Sequence, residues 1–239
     1  MVAVNYRFRL LLAALSIFLL WQSTKMWAKF SWDNSIELQE IKLQDEKEKA
    51  DTESKVRPQK VSVTVYYEAL CPDSKSFVVK QLIPTYNAIP DNIQIELIPY
   101  GKAKTFKKGD NYQFMCQHGR IECDANIVHA CAIDVIKVPF VQLSYVSCML
   151  KHNIQPLSTM KACAKTMQVD YEPILNCYRS SRGTELLAMY GEMTEALDPK
   201  MSFVPTITLD KKVDNQPAIL KNLLQQVCQR IQVQPLACM

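Results

Sequence analysis

A single cysteine follows a predicted strand and precedes a predicted helix. The strand covers Val61–Leu70, and Cys71 comes directly after it. Pro72 suits the first position of a helix, where the missing backbone N–H costs nothing. Free amides and the helix dipole at such a position stabilise a thiolate, the nucleophile of thiol–disulfide exchange. The pattern favours a redox-active Cys71 over the alternative, an inert buried cysteine at a strand end.

The fourth residue of this short motif is Ser74, where a dithiol site carries a second cysteine. In a dithiol site the first thiolate attacks the substrate disulfide, and the second cysteine then resolves the mixed disulfide. With Ser74 the first step is retained and the second is lost. Resolution must then come from glutathione, free cysteine, a substrate thiol or another cysteine of this chain.

A segment rich in cysteine and histidine, residues 116–131, raises the possibility of a zinc site. Its cysteines are too widely spaced, because structural zinc sites usually pair ligands two to four residues apart. The sequence therefore predicts no metal here. For His118, hydrogen bonding within the segment is favoured over proton transfer to a thiol, and His129 and His152 are expected to be structural or exposed.

The chain contains nine cysteines, an odd number that fits four disulfides and one free thiol. With Cys71 as the free thiol, the eight structural cysteines are Cys116, Cys123, Cys131, Cys148, Cys163, Cys177, Cys228 and Cys238. Eight cysteines allow 105 pairings, and the sequence favours only the local pair Cys228–Cys238.

The elements around these residues predict an α/β domain. They are, in chain order, the strand 61–70, a helix over 77–86, a strand over 92–99, a mostly helical section over 101–197, a strand over 202–210, a short edge strand over 211–214 and a closing helix over 217–231. A strand–helix–strand unit implies a parallel pair. The predicted fold class is thioredoxin-like, with an inserted disulfide-rich helical cap.

Three regions are predicted along the chain. Residues 1–30 contain the apolar run Leu10–Trp21 behind two arginines, and form either a signal peptide or a signal anchor. Residues 31–59 are a charged stalk or linker, and residues 60–239 are the folded domain. Both readings of the N-terminus send the chain into the secretory pathway, where disulfides persist. The net charge of +4 is too modest to favour nucleic-acid binding.

The cysteine-rich segment resembles the signature of the gamma-interferon-inducible lysosomal thiol reductase family, Cys-Gln-His-Gly-x2-Glu-Cys-x2-Asn-x4-Cys. The matching residues are Cys116, Gln117, His118, Gly119, Glu122, Cys123, Asn126 and Cys131. The similarity also covers Tyr66–Cys71, Ala196–Pro199, Val204–Pro205 and the late cysteine pair, and so extends from Val61 onward.

The resemblance implies a thioredoxin-like fold and reduction of protein disulfides in endosomes or lysosomes. Cys71 would be the nucleophile, Ser74 would stand at the resolving position, and Pro205 would be a cis-proline facing the site. No bound cofactor is implied, and glutathione or cysteine would serve as external reductant. The expected partners are disulfide-containing proteins; a membrane would be contacted only through the N-terminal segment.

Two other functions remain open at the level of sequence. The chain could be a redox-inactive relative that binds disulfide-bonded or unfolded chains in the former active-site groove. It could also be a secreted or membrane-tethered structural protein, monomeric or linked as a dimer through Cys71.

Overall fold

The computed structural model describes residues 16–27, 39, 42–44, 46–47, 60–109 and 111–239. The chain divides into two units, residues 1–57 and 58–239. In the first unit, residues 16–27 are helical. None of the helices in the described part of the chain is long and apolar enough to cross a membrane. Most of the predicted signal or anchor and most of the predicted stalk lie outside the described residues.

The second unit is built on a three-stranded sheet. Its central strand is β1 (Val61–Tyr67), which pairs in parallel with β2 (Ile93–Pro99), as the strand–helix–strand order predicts. A separate hairpin follows, made of β3 (Lys104–Lys108) and β4 (Asn111–Met115). The last strand, β5 (Thr206–Leu209), pairs antiparallel with β1, so that the sheet order is β2–β1–β5.

Nine α-helices occur among the described residues of this unit. They are α1 (Pro72–Phe77), α2 (Ile83–Ala88), α3 (Arg120–Val135), α4 (Pro139–Lys151), α5 (Pro156–Met167), α6 (Glu172–Arg179), α7 (Ser181–Glu195), α8 (Gln216–Lys221) and α9 (Leu223–Cys228). A π-helical turn, Val78–Leu82, joins α1 to α2, and a 3-10 turn, Leu236–Cys238, lies near the C-terminus. Pro84 accounts for the π turn, because its nitrogen cannot donate to the carbonyl four residues earlier.

Helices cover the sheet on both faces. Alternate residues of β1, among them Val63, Val65 and Tyr67, are buried in one apolar cluster with α1, α4, α8 and α9. Tyr66 and Ile98 point the other way, into a second cluster formed mainly by α3 and α5–α7. Because successive side chains of a strand alternate between faces, β1 contributes buried side chains to both clusters.

The structure corrects four predicted elements. The section 101–197 is not helical from its start, because the mostly exposed hairpin β3–β4 precedes α3. The strand over 202–210 is shortened to β5. The predicted edge strand over 211–214 is a single bridge from Leu209 to Lys212. The closing helix is interrupted at Asn222, whose side chain accepts a hydrogen bond from the N–H of Gln225 and so caps α9.

Four disulfides are present, and Cys71 is the free cysteine. The pairs are Cys116–Cys123, Cys131–Cys177, Cys148–Cys163 and Cys228–Cys238. The local pair favoured by the sequence is confirmed. The second pair ties α3 to α6 and the third ties α4 to α5, so two disulfides cross-link the helical insertion.

Candidate active site

Cys71 lies immediately before α1, at the position that caps the helix. Its backbone is extended, Pro72 begins the helix, and only 8% of the residue is exposed. The helical stretch runs without a break through the π turn into α2. The cysteine therefore faces the N-terminal end of about four turns of helix, the end at which partial positive charge favours an anion.

A cis-proline lies beside the cysteine. The Val204–Pro205 peptide bond is cis, and Pro205 is buried just before β5. The sulfur of Cys71 lies 3.9 Å from the carbonyl oxygen of Val204, within reach of a weak S–H···O contact. The position expected for Pro205 from the family resemblance is thus the position found. A second cis peptide joins Asp198 to Pro199.

Ser74 is completely buried. Its hydroxyl accepts a hydrogen bond from the backbone N–H of Glu68, with N and O 3.3 Å apart. The carbonyl of Glu68 in turn accepts from the N–H of Cys71, at 3.3 Å. Ser74 therefore helps to hold the turn that joins β1 to the cysteine.

Two asparagines of the helical insertion hold the same turn. The side-chain oxygen of Asn126 accepts from the N–H of Ala69 at 2.9 Å, and the side-chain nitrogen of Asn153 donates to the Ala69 carbonyl. Both asparagines are buried. Because a buried peptide group without a partner is costly, this pair fixes the cap against the active-site turn.

His118 joins the signature segment to the end of β1. Its Nδ1 lies 2.6 Å from Oε2 of Glu122 and 3.5 Å from Oε2 of Glu68. Both carboxyl groups are buried, while 37% of the His118 side chain is exposed. Burial raises the pKa of Glu68, and the negative charge of Glu122 acts in the same direction, partly offset by a hydrogen bond from the N–H of Lys102.

The remaining signature residues have structural positions. Gly119 adopts a positive φ of 81° at the start of α3, and Gln117 is exposed.

His129 is buried with its Nδ1 3.0 Å from the hydroxyl of Tyr67. Burial lowers the pKa of His129 to about 3, so the ring is neutral near neutral pH. His152, by contrast, is exposed.

Two grooves lie near the start of α1, and Cys71 lines the larger of them. The larger, about 870 Å³, lies between the start of α1 and the α4–α5 connection, and its lining includes Lys75, Lys151 and Ile154. The smaller, about 320 Å³, is lined by Phe203, Pro205 and residues of α1. The amine of Lys75 donates to the carbonyl of Lys151 at 3.2 Å, which bridges the rim of the larger groove.

The structure thus brings Cys71, Ser74 and Pro205 together. The signature segment contacts the turn before Cys71 through Asn126 and His118. Glu68 and Asn153 are the residues that sequence reasoning missed. Glu68 falls within the Tyr66–Cys71 similarity and was available as a signal, whereas nothing in the sequence singles out Asn153.

The sheet order, the cysteine before α1 and the cis-proline before β5 define a thioredoxin-like protein. Two solved structures share this fold. The chain matches Chlamydia trachomatis DsbA with a TM-score of 0.51 and 15% identity, over 73% of this chain and 90% of that one. It matches oxidised BdbD of Bacillus subtilis with a TM-score of 0.53 and 11% identity, over 72% and 88%. At these identities the likeness concerns the fold alone.

Sequence comparison identifies the family. The family model for gamma interferon inducible lysosomal thiol reductase matches residues 62–167. A gamma-interferon-inducible lysosomal thiol reductase-like protein of Anopheles gambiae is 33% identical over 195 residues, which is 75% of this chain and 80% of that protein. The gamma-interferon-inducible lysosomal thiol reductase of Mus musculus is 33% identical over 177 residues, 72% and 68% of the two chains. The chain belongs to this family, and family and fold together support a thiol–disulfide oxidoreductase role.

Proposed function

We propose that this chain is a protein-disulfide oxidoreductase that works with one catalytic thiol, that of Cys71. The observation that carries the proposal is the position of this free thiol: at the start of a helix, 3.9 Å from the carbonyl that precedes the cis-proline, and in the lining of the larger groove. An extended substrate segment in that groove would bring its disulfide to the sulfur.

The reaction proceeds in three exchanges. The Cys71 thiolate attacks one sulfur of a substrate disulfide; a new S–S bond forms, the old one breaks, and the other substrate sulfur leaves as a thiolate. An external monothiol, glutathione or cysteine, then attacks the mixed disulfide and regenerates Cys71. A second monothiol completes reduction of the substrate and leaves the oxidised small-molecule disulfide.

The source of the resolving thiol follows from the cysteine inventory. Ser74 cannot attack a disulfide, and the other eight cysteines are all paired. No further free thiol of this chain is therefore at hand, which argues against the internal resolution left open by the sequence. The role proposed for Ser74 is to hold the Glu68–Cys71 turn.

The proposed substrates are disulfide-containing proteins, and the proposed compartment lies on the secretory route, in endosomes, lysosomes or outside the cell. Four disulfides support an oxidising compartment. The mouse relative is named as lysosomal. Lys75 and Lys151 give the larger groove a basic rim, which suits substrate segments with acidic residues near the disulfide.

An insulin-reduction assay with the full chain tests the proposal. Turnover is expected with glutathione or cysteine and not without them, and Cys71→Ser should abolish it. The assay is run at acidic and neutral pH. Turnover that survives Cys71→Ser, or that needs no monothiol, would contradict the single-thiol mechanism.

The presence of Ser74 also favours a second function, the binding of disulfide-bonded or unfolded chains without turnover. In that case the wild-type protein would not reduce a disulfide with any monothiol. Immobilised on a column, it would still bind a reduced, carboxymethylated substrate, and the Cys71→Ser variant would bind that substrate equally well. The third function left open by the sequence is a structural protein linked as a dimer through Cys71. A thiol-sensitive dimer on a non-reducing gel, absent in Cys71→Ser, would support it.

A further inference from the structure

We propose that Glu68, His118 and Glu122 form a binding site for a divalent transition-metal cation, with Zn²⁺ the best match. One ligand atom from each residue, the imidazole nitrogen and two carboxylate oxygens, lies within 4.8 Å of the other two. The inference is independent of the proposed reductase activity. The sequence predicts no metal in residues 116–131, because the cysteines there are too widely spaced. Glu68, which completes the cluster, comes from the end of β1, outside that segment.

A bound cation would stabilise the two acidic groups of the cluster. Glu68 and Glu122 are 1% and 0% exposed, whereas acidic groups of this kind are almost never fully buried without a partner. Within the described part of the chain, the ion-pairing partner of both carboxylates is His118. A divalent cation between them would offset the negative charge that two ionised carboxylates place in this buried position.

Glu68 provides the independent sign of a ligand. Its Oε1 accepts from the N–H of Lys102 at 2.8 Å, but its Oε2 is buried and has no hydrogen-bond donor among the residues that the structure describes. This free oxygen points toward His118 Nδ1, 3.5 Å away. A buried carboxylate oxygen left without a donor, and facing another metal-ligating atom, is well placed to bind a cation.

One of the two distances between ligand atoms is close to the value for tetrahedral coordination. Zinc bonds of roughly 2.0–2.1 Å to nitrogen and oxygen put neighbouring ligand atoms about 3.3–3.4 Å apart in a tetrahedron. The 3.5 Å between Glu68 and His118 is near this value. The 2.6 Å between His118 and Glu122 is a hydrogen bond, which must lose its proton and widen by less than about 1 Å. The exposed side of His118 leaves the fourth position to water.

The surrounding backbone is shaped to hold the three side chains. Gly101 has a φ of 63°, and a Cβ atom there would lie 2.0 Å from Cγ of Glu68. The Cys116–Cys123 disulfide closes the loop that carries His118, and the N–H of His118 donates to Oε1 of Glu122 at 3.0 Å. A preformed second shell of this kind orients metal ligands. The cation would brace the turn that ends at Cys71.

Titration of the full chain with Zn²⁺ against a chromophoric chelator at pH 7 tests the site. Cys71→Ser serves as the background, so that the free thiol cannot contribute. We expect one Zn²⁺ per chain, with at least about 10-fold weaker binding in Glu68→Gln and in Glu122→Gln. Glu185→Gln, an exposed carboxylate on α7, is the matched control and should bind like the background.

Cobalt gives a spectroscopic readout. Co²⁺ in the background variant should show visible bands of a tetrahedral nitrogen–oxygen site, and these should disappear in His118→Gln. Thermal unfolding without metal checks that each variant folds; if the buried Glu68→Gln does not, the half-exposed His118→Gln decides the matter. No Zn²⁺ binding by the background variant, or equal affinity in His118→Gln, would overturn the proposal.

Discussion

Ser74 stands where a second thiol would complete the chemistry, and its hydroxyl supports the active-site turn instead. The serine is buried and bonded to the N–H of Glu68. Cysteine is close to serine in size, so the position should accept a thiol with only a weakened hydrogen bond. In the proposed mechanism, the lack of a thiol at this position is what leaves release of a captured substrate to an external thiol.

Ser74→Cys is expected to restore release without an external thiol. When pre-reduced, desalted protein is mixed with a disulfide-bonded substrate, wild type should accumulate a Cys71 mixed disulfide, because no internal thiol resolves it. Ser74→Cys should lower that species at least about tenfold and liberate reduced substrate. Mass spectrometry of acid-quenched samples measures both species. Ser76→Cys, which adds a thiol elsewhere on α1, should behave like wild type.

His129 is expected to make the folded state less stable in acid. Because burial lowers its folded-state pKa to about 3, the unfolded chain takes up the proton first. The stability that neutral His129 contributes is present above about pH 6.5 and is lost as the pH falls toward 3. Between pH 7 and pH 5 this loss amounts to about 2 kcal/mol.

Urea unfolding at the two pH values isolates this contribution. His129→Gln should be less stable than wild type at pH 7, because it disturbs the Tyr67 contact, but should lose less stability on going to pH 5. Exposed His152→Gln should keep the wild-type difference. An unchanged difference in His129→Gln would show that the ring is not the group responsible.

At the scale of elements, the active-site turn is held between the sheet and the helical insertion. The N–H of Ala69 is bonded by Asn126 of α3, and its carbonyl by Asn153 after α4. The signature asparagine therefore positions the turn and does not touch the reacting sulfur. Removing its side chain should lower the stability of the fold more than it changes the reactivity of Cys71.

Asn126→Ala is expected to destabilise the domain by about 1–3 kcal/mol, because it leaves a buried N–H without an acceptor. The melting temperature should fall, and the remaining folded protein should keep a Cys71 that reacts with iodoacetamide. Gln117→Ala, an exposed neighbour in the same signature, should change neither property. A loss of alkylation with no loss of stability would instead place Asn126 in the chemistry.

At the scale of the whole molecule, disulfides supplement two apolar clusters on the two faces of a small sheet. The cysteines of the Cys131–Cys177 disulfide are 46 positions apart in the sequence, and those of Cys116–Cys123 are 7 positions apart. Because the unfolded chain loses more freedom in a longer loop, the first crosslink should stabilise the fold more. The loop-entropy relation gives about 4 and about 2.4 kcal/mol for the two.

Paired alanine replacements check this order. Cys131→Ala with Cys177→Ala should lower the free energy of unfolding more than Cys116→Ala with Cys123→Ala, measured by urea unfolding without reductant. Ellman titration should find one free thiol, Cys71, in each variant. The reverse order would mean that the signature disulfide does more than close a loop.

The sequence by itself determined the local features of this protein. The apolar alternation of β1, the proline after Cys71 and the period of the β2 segment predict the strand–cysteine–helix unit and the parallel pair, and the family signature predicts the place of Pro205. These features are local or carried by a specific motif, so no distant contact is needed to infer them. The disulfide Cys228–Cys238, whose cysteines are close in sequence, follows for the same reason.

Only the tertiary structure decided the features that depend on distant contacts. Three of the four disulfides could not be chosen. Two of them depend on which helices meet, and for Cys116–Cys123 the spacing alone did not select the partner. The hairpin β3–β4 was missed, because its half-exposed residues show little apolar periodicity. The turn around Ala69 and the cluster of Glu68, His118 and Glu122 were likewise invisible, because folding brings β1 and the helical insertion together across gaps in sequence that no local pattern spans.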